Sequence, residues 1–113
     1  MSGYKNELKK VSAGLQSLVN VLPKHVRAMS ALISENEKDT VLSGKTKELI
    51  ALAIAVSVRC DGCIAAHAKG AARNGATEAE VAETLGVTIS MNGGPATVYG
   101  PRAFAAFKEF AAK

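Results

Sequence analysis

The stretch that decides the fold is KTKELIALAIAVSVRCDGCIAAH, residues 45–67, where a long apolar run leads into a Cys-x-x-Cys motif. The run from Lys45 to Val58 is apolar almost all round, which is typical of a central helix that is buried on every side. A buried strand is the alternative interpretation of an apolar run. Ala and Leu dominate these residues, and both are strong helix formers, so the run predicts a helix.

The second part of this stretch holds both cysteines of the chain, Cys60 and Cys63, and one of its two histidines, His67. Cys60 or Asp61 can cap a helix that carries the motif and ends near residues 74–75. On such a helix Cys63 and His67 share one face, one turn apart. The helix N-terminus favours a thiolate, although the charge of Asp61 opposes this slightly. A base beside a dithiol at a helix start indicates redox thiol chemistry.

The rest of the chain also predicts helices. Apolar residues recur at steps of three and four from Tyr4 to Leu22, and Pro23 ends that helix and opens the next. Residues 34–44 are polar and predict a loop. A capping box at residues 77–80 starts a helix that runs to about Met91, and residues 92–95 break it.

The last predicted helix reaches the C-terminus and contains Pro101, where we expect a kink or a late start. No internal repeat or second domain is visible in the sequence. The prediction is therefore an all-α fold, one domain over residues 1–113, built as a bundle of about six helices.

Composition and charge narrow the possible classes of protein. The chain has 113 residues, 48% of them apolar, and its two Tyr and three Phe are few aromatics for the core of a monomer. A mean hydropathy of +0.11 is high for a small soluble protein, and predicts surface buried in a homo-oligomer. The net charge of +4 is modest. The sequence lacks the dense basic stripe of a nucleic-acid surface. The residues that carry most of the excess positive charge are scattered: Lys5, Lys9, Lys10, Lys24 and Arg27.

The sequence predicts neither export nor a membrane span. Residues 1–7 lack the apolar core of a signal peptide. The longest apolar run, residues 49–58, is too short to cross a bilayer as a helix. We therefore expect a cytoplasmic protein without a membrane partner. In that compartment a Cys-x-x-Cys pair is more often catalytic or metal-binding than structural.

Glu48 is the carboxylate most suited to a role at the motif. The positions one and two turns along, Leu52 and Ala55, are apolar, so Glu48 can face inward, where burial would make it a usable proton acceptor. An acidic residue in a first turn can instead simply favour the helix dipole. Both interpretations remain open from the residues alone.

Other interpretations of the cysteines are an inert core pair and a zinc site. Zinc would need Glu48, Asp61 or His25 as a fourth ligand, and the chain offers no second paired knuckle. We interpret His25 as a surface residue, because it follows Pro23-Lys24 at a helix start. The methionines at positions 29 and 91 are predicted to fill the core. Tyr99 and Arg102, three residues apart near Pro101, could line a pocket, and packing is the favoured interpretation.

Together, the pattern Glu48-x11-Cys60-x-x-Cys63-x-x-x-His67 resembles the signature of the alkylhydroperoxidase D-like, or carboxymuconolactone decarboxylase-like, family. The text around the signature is similar too: LIALA at 49–53, CIAAHA at 63–68, GATEAE at 75–80, GPA at 94–96 and YGPRA at 99–103. The resemblance covers roughly Pro23 to Phe110. It implies an all-helical fold that assembles into trimers or hexamers, often with the site near a subunit interface.

The activity that the resemblance implies is thiol-dependent reduction of hydroperoxides. Cys63 would be the peroxide-attacking thiolate, Cys60 would resolve the sulfenic acid as a disulfide, and Glu48 and His67 would form the proton relay. The expected partners are a hydroperoxide and an unidentified thiol or dithiol reductant, with no cofactor and no metal. The best-known members carry a further histidine just before the second cysteine, where this chain has Gly62.

The alternative is a non-redox member of the same fold, either a decarboxylase-like enzyme or a structural oligomer. The lactone decarboxylases of this family generally lack the cysteine pair. The presence of Cys60 and Cys63 therefore argues against decarboxylation.

Overall fold

Six α-helices and no strand make up residues 3–112, the part of the chain that the computed structural model describes. In chain order they are α1 (Tyr4–Val19), α2 (Pro23–Glu35), α3 (Gly44–Ser57), α4 (Asp61–Arg73), α5 (Glu78–Asn92) and α6 (Gly94–Ala111). The prediction of an all-α protein with about six helices is confirmed. Within these residues no helix combines the length and the apolar character needed to cross a membrane.

Local signals in the sequence set the starts of these helices. Pro23 occupies the first turn of α2, where its missing N–H costs nothing. The Ser43 side chain caps α3 by accepting a hydrogen bond from the backbone N–H three residues on. Thr77 and Glu80 form the predicted capping box at the start of α5. Gly93, at φ 73°, separates α5 from α6 in the left-handed region that glycine adopts without strain.

α4 lies at the centre of the fold and packs against α1, α3 and α6. Its buried residues are Ile64, Ala65, Ala68 and Ala71. Alanines at this contact allow the neighbouring helices to approach closely. The rest of the core comes from α3, α5 and α6, and comprises Leu52, Ala55, Val56, Val81, Leu85, Ala96, Ala103, Ala106 and Phe107.

α3 is buried on one face only, which corrects the prediction of a helix buried on every side. Glu48 and Leu52 face the interior, whereas Ile50 and Ile54 are 46% and 57% exposed. A helix buried all round needs a neighbour on each side. On its open side α3 faces α2, but the two helices do not pack against each other. Within residues 3–112, α2 packs against α1 alone. An open apolar cleft therefore separates α2 from α3.

The methionines are exposed, so the prediction that they fill the core is wrong. Met29 is 45% exposed and Met91 is 80% exposed. Met29 belongs to α2, whose one buried residue is Val26, and Met91 lies in the last turn of α5. Helical periodicity identifies an apolar face, but it does not show whether that face has a partner within the same chain.

Two predicted boundaries also move. α6 begins at Gly94 and runs through Pro101, so a late start at the proline is wrong. Pro101 deprives the Thr97 carbonyl of its helical N–H partner, but the proline itself is exposed. The opposite side of α6 is buried through Ala103 and Phe107, and that burial keeps the helix continuous. The loop predicted over 34–44 shortens to 36–43, because α2 and α3 extend into it.

The N-terminus of α1 is held by a side chain from the last helix. Gly3, the N-cap residue, offers no side-chain acceptor. Glu109 of α6 instead accepts hydrogen bonds from the backbone N–H groups of Tyr4 and Lys5, with N···O distances of 3.0 and 3.1 Å. A carboxylate at this position satisfies free N–H groups and interacts favourably with the helix dipole. Glu109 thus fixes α1 in its position beside α4.

Replacement of this cap tests its contribution to stability. Glu109→Ala should lower the free energy of unfolding by about 1 kcal/mol, as loss of an N-cap acceptor typically does. Glu109→Gln keeps an acceptor oxygen and should lose less. Urea unfolding followed by circular dichroism gives these values, with Glu83→Ala, an exposed carboxylate on α5, as control. Equal unfolding midpoints for Glu109→Ala and wild type would show that Glu109 does not cap α1.

Candidate active site

Cys60 and Cys63 lie at the start of α4, where the first turn brings their sulfurs to disulfide distance. Their Cα atoms are 5.2 Å apart, within the range that a disulfide spans. Cys60 is the N-cap of α4, and its Sγ accepts a hydrogen bond from the backbone N–H of Cys63 at an N···S distance of 3.1 Å. Both residues are half-buried. The motif is therefore an assembled pair that is partly accessible to solvent.

Glu48 of α3 and His67 of α4 meet across the contact between these two helices. Oε2 of Glu48 lies 3.1 Å from Nδ1 of His67. Glu48 is only 7% exposed, so the prediction that it faces inward is confirmed. When the carboxylate is ionised and the imidazole is neutral, the carboxylate can only accept, so the imidazole hydrogen is on Nδ1 and the lone pair is on Nε2.

The two pairs are adjacent on α4. His67 follows Cys63 by one turn and lies on the same face of the helix. Cys60 and Cys63 are paired with each other, and His67 is paired with Glu48. The structure thus shows two contacting pairs, Cys60 with Cys63 and Glu48 with His67, with one helical turn of α4 between Cys63 and His67.

Gly70 makes room for the buried carboxylate, and sequence reasoning missed it. A Cβ atom built on Gly70 would collide with the carboxyl group of Glu48. Any other residue at this position would force Glu48 or the backbone of α4 to move. The signal in the sequence is a glycine inside a predicted helix, three residues after His67, where glycine lowers helix stability unless a close approach requires it.

A cleft of about 440 Å³ opens beside the Glu48–His67 pair. Its walls come from α2, α3 and the loop between them, and they are largely apolar: Leu32, Ile33, Leu42, Ile50, Ala51 and Ile54. Glu48, His67, Asn36, Glu37 and Lys47 supply the polar part of the lining. The cleft gives one edge of the imidazole an apolar environment that is large enough for a small organic molecule.

A second polar cluster surrounds Asp61, the residue that follows Cys60. The hydroxyl of Tyr4 donates a hydrogen bond to Oδ1 of Asp61 at 3.0 Å, and Nη1 of Arg102 lies 3.9 Å from the same oxygen. Burial, and then the hydrogen bond to Asp61, raises the pKa of Tyr4 to about 12, so the hydroxyl remains a donor at neutral pH. The guanidinium of Arg102 also stacks 4.6 Å from the centre of the Tyr99 ring.

This cluster refines the interpretation of Tyr99 and Arg102. Packing was the favoured interpretation, and Arg102 does stack on Tyr99, but it also reaches the charged start of α4. In the periodic pattern of the sequence, Tyr4 is only an apolar position of the first helix. Its hydroxyl contact joins residues 57 positions apart, and no short-range pattern predicts such a contact.

Gly62 lies just before the second cysteine, at the position for which the resemblance to the alkylhydroperoxidase D-like family implies a histidine. A Cβ atom at this position would lie 2.8 Å from Cγ2 of Val11 on α1. A side chain at position 62 would therefore force the Val11 side chain or α1 to shift. The glycine and the close approach of α1 therefore occur together.

The residues considered as a fourth zinc ligand have other surroundings. Glu48 is hydrogen-bonded to His67, and Asp61 is hydrogen-bonded to Tyr4. His25 lies exposed on α2, which confirms that it is a surface residue. Within residues 3–112, no three His, Cys, Asp or Glu side chains converge in the manner of metal ligands.

The chain is similar to uncharacterized proteins of Cupriavidus necator, 34% identical over 103 residues, and of Haemophilus influenzae, 42% identical over 104 residues. The first match covers 91% of each chain and the second 92% of each. A third relative is uncharacterized protein 4 in the cox locus of Paracoccus denitrificans, 39% identical over 71 residues.

A solved structure gives the same fold. The crystal structure of apo-lpg0406, a carboxymuconolactone decarboxylase family protein from Legionella pneumophila, is 37% identical to the chain, and the two match with a TM-score of 0.92. The match covers 96% of this chain and 97% of that one. The model of the carboxymuconolactone decarboxylase family matches residues 23–110, from the start of α2 almost to the end of α6. The chain therefore belongs to the carboxymuconolactone decarboxylase family.

Proposed function

We propose that this protein is a thiol peroxidase that reduces hydroperoxides through Cys60 and Cys63. The observation that carries the proposal is the 3.1 Å contact between Glu48 and His67, one helical turn from a Cys-x-x-Cys pair at disulfide distance. A structural disulfide needs no oriented imidazole. A dithiol that must lose a proton at neutral pH gains from one, because the thiolate is the nucleophile.

In the first step His67 acts as the base. Nε2 accepts the proton of the Cys63 thiol while Glu48 stabilises the imidazolium through Nδ1. The Cys63 thiolate attacks the terminal oxygen of the hydroperoxide, and the O–O bond breaks. The departing alkoxide takes a proton from His67 and leaves as an alcohol, or as water when the substrate is hydrogen peroxide. Cys63 is then a sulfenic acid.

In the second step Cys60 resolves the sulfenic acid. The Cys60 thiolate attacks the sulfur of Cys63, a disulfide forms, and the hydroxyl group leaves as water after protonation. The N-cap position suits Cys60 to this role, because the backbone N–H of Cys63 and the helix N-terminus both favour a negative sulfur. A dithiol reductant closes the cycle by donating two electrons and two protons to the disulfide. A reducing compartment such as the cytoplasm supplies this kind of reductant.

The open cleft supports a second part of the proposal, that the chain works as a homo-oligomer, a trimer or a hexamer. Leu32 on α2 and Ile54 on α3 are 64% and 57% exposed on facing walls of the cleft. Such a continuous apolar surface is typical of an interface between subunits. A closed ring of copies would cover it and complete the surroundings of His67.

The redox pair is tested by stoichiometric oxidation. One equivalent of cumene hydroperoxide should convert the reduced protein to an intramolecular Cys60–Cys63 disulfide, because the resolving sulfur lies within reach. Mass spectrometry after thiol alkylation should show the loss of two free thiols, and dithiothreitol should restore them. Cys60→Ser should instead accumulate sulfenic acid on Cys63. Two free thiols after peroxide treatment would point to the non-redox alternative.

The relay is tested by replacement of its members. Glu48→Gln should slow peroxide reduction at pH 7 by about 100-fold, as is typical for loss of general-base help, and His67→Gln should do likewise. The two losses should not add in the double variant, because the residues act as a unit. Stopped-flow rates measured as the pH approaches the intrinsic pKa of the thiol should show partial recovery in both variants.

The matched control is Glu37→Gln, which alters a carboxylate at the same cleft and should leave the rate unchanged. If Glu48→Gln reacts as fast as the wild type across the pH range, Glu48 only supports the fold.

Assembly is tested by light scattering. The wild type should give at least a trimer mass at micromolar concentration. Ile54→Glu places a charge on the exposed apolar wall of α3 and should shift the protein towards a monomer. Ala79→Glu adds the same charge at an exposed position of α5 and should not. A monomer mass for the wild type would refute the oligomer.

A further inference from the structure

At the start of α4 the negative charge of Asp61 disfavours a thiolate at Cys60, and the proposed Glu48–His67 relay does not offset that charge. Asp61 follows Cys60 directly, and a carboxylate beside a thiolate raises the thiol pKa and stabilises the disulfide over the dithiol. Charged or titratable groups near this point include Arg59, which precedes Cys60 in the chain, Asp61 itself, Tyr4 from α1, and Tyr99 and Arg102 from α6. The position of the Asp61 carboxylate therefore bears on how readily the pair is reduced.

Two of these groups hold the Asp61 carboxylate. The hydroxyl of Tyr4 donates to Oδ1 at 3.0 Å, and Arg102 places a full positive charge 3.9 Å from the same oxygen. Both Tyr4 and Arg102 are themselves held by further contacts. Tyr4 lies at the start of α1, where Glu109 accepts its backbone N–H, and Arg102 is braced on Tyr99. The carboxylate is thus held by groups from α1 and α6.

We propose that Tyr4 and Arg102 are positioning residues for the redox pair, which act by holding and neutralising the Asp61 carboxylate so that its charge does not disfavour a thiolate at Cys60. The inference deepens the proposed function, since it rests on the exchange of electrons by Cys60 and Cys63. Tyr4 lies outside the segment, residues 23–110, that the family model matches. The arrangement therefore adds a contribution from α1 to a site otherwise built from α3 and α4.

The quantity to measure is the reduction potential of the Cys60–Cys63 disulfide. Reduced dithiothreitol gives two electrons and two protons to the Cys60–Cys63 disulfide and closes to its own cyclic disulfide. Groups that stabilise a thiolate favour the reduced protein and make the reduction potential less negative. Loss of Tyr4 or Arg102 should therefore make it more negative. Loss of the Asp61 charge should make it less negative.

The experiment equilibrates the full-length protein with mixtures of oxidised and reduced dithiothreitol at pH 7 and an ionic strength of about 0.1 M, where the Debye length is about 10 Å. Free thiols are then trapped by alkylation and counted by mass spectrometry. Arg102→Gln should shift the equilibrium constant towards the disulfide by about two- to fivefold, the range for a solvent-exposed charge pair. That corresponds to roughly 10–20 mV at 29.6 mV per tenfold change. Tyr4→Phe should shift it in the same direction, and Asp61→Asn in the opposite one.

A double variant separates positioning from general damage to the fold. In the Asp61→Asn background Tyr4→Phe should have no further effect, because no carboxylate charge remains for the hydroxyl to hold in place. Arg73→Gln, at the far end of α4, removes the same charge about 18 Å away, beyond the Debye length, and should leave the potential unchanged. Circular dichroism checks that each variant is folded.

Two results would overturn the inference. One is a wild-type potential in folded Tyr4→Phe and Arg102→Gln. The other is an equal shift by Tyr4→Phe with and without Asp61, which would mean that Tyr4 acts through packing alone. These outcomes are independent of the peroxidase activity. A wild type that ignores peroxide but shows the predicted potentials would refute the proposed function and leave the role of Tyr4 and Arg102 intact.

Discussion

The contact between the Glu48 carboxylate and the His67 imidazole is the constraint on which the rest of the site depends. It fixes how closely α3 and α4 approach, because the carboxylate lies against the backbone of α4 where Gly70 has no side chain. A buried carboxylate is costly unless it is hydrogen-bonded, so the imidazole and the glycine are needed together. His67 and Gly70 therefore occupy the face of α4 that meets Glu48, and the cysteine pair lies in the turn before them.

The two cysteines have different surroundings although they are separated by only two residues. Cys60 lies at the N-cap, where backbone N–H groups and the helix dipole act on its sulfur, and Asp61 with its partners lies beside it. Cys63 lies inside the first turn, on the face that carries His67. This asymmetry agrees with a division of labour in which one sulfur depends on a proton acceptor and the other on the electrostatics of the helix end. Tyr4 and Arg102 connect α1 and α6 to the same end of α4 through Asp61.

The sequence predicted those parts of the structure that depend on short-range rules. The helix around the cysteines, the capping box at Thr77 and the inward position of Glu48 follow from spacing and cap chemistry within a turn or two. The parts it missed depend on distant partners. Gly70 matters because of a side chain on another helix, and the Tyr4–Asp61 contact spans much of the chain. The exposure of Met29 and of one face of α3 depends on the position of α2 relative to α3, which no local sequence pattern predicts.

Cys60 lies at the start of α4, where its sulfur accepts a hydrogen bond from the backbone N–H of Cys63 and also pairs with the Cys63 sulfur. Serine and alanine are usually treated as interchangeable replacements for a cysteine, but here they are different. A serine hydroxyl remains a good acceptor for the Cys63 N–H and keeps the first turn wound, whereas an alanine leaves that N–H without its side-chain acceptor. Cys63 lies in the first turn and packs against the core rather than capping α4, so the choice between the two replacements has no such effect on the helix start there. A comparison of the four single variants would therefore separate the folding duty of the motif from its chemistry.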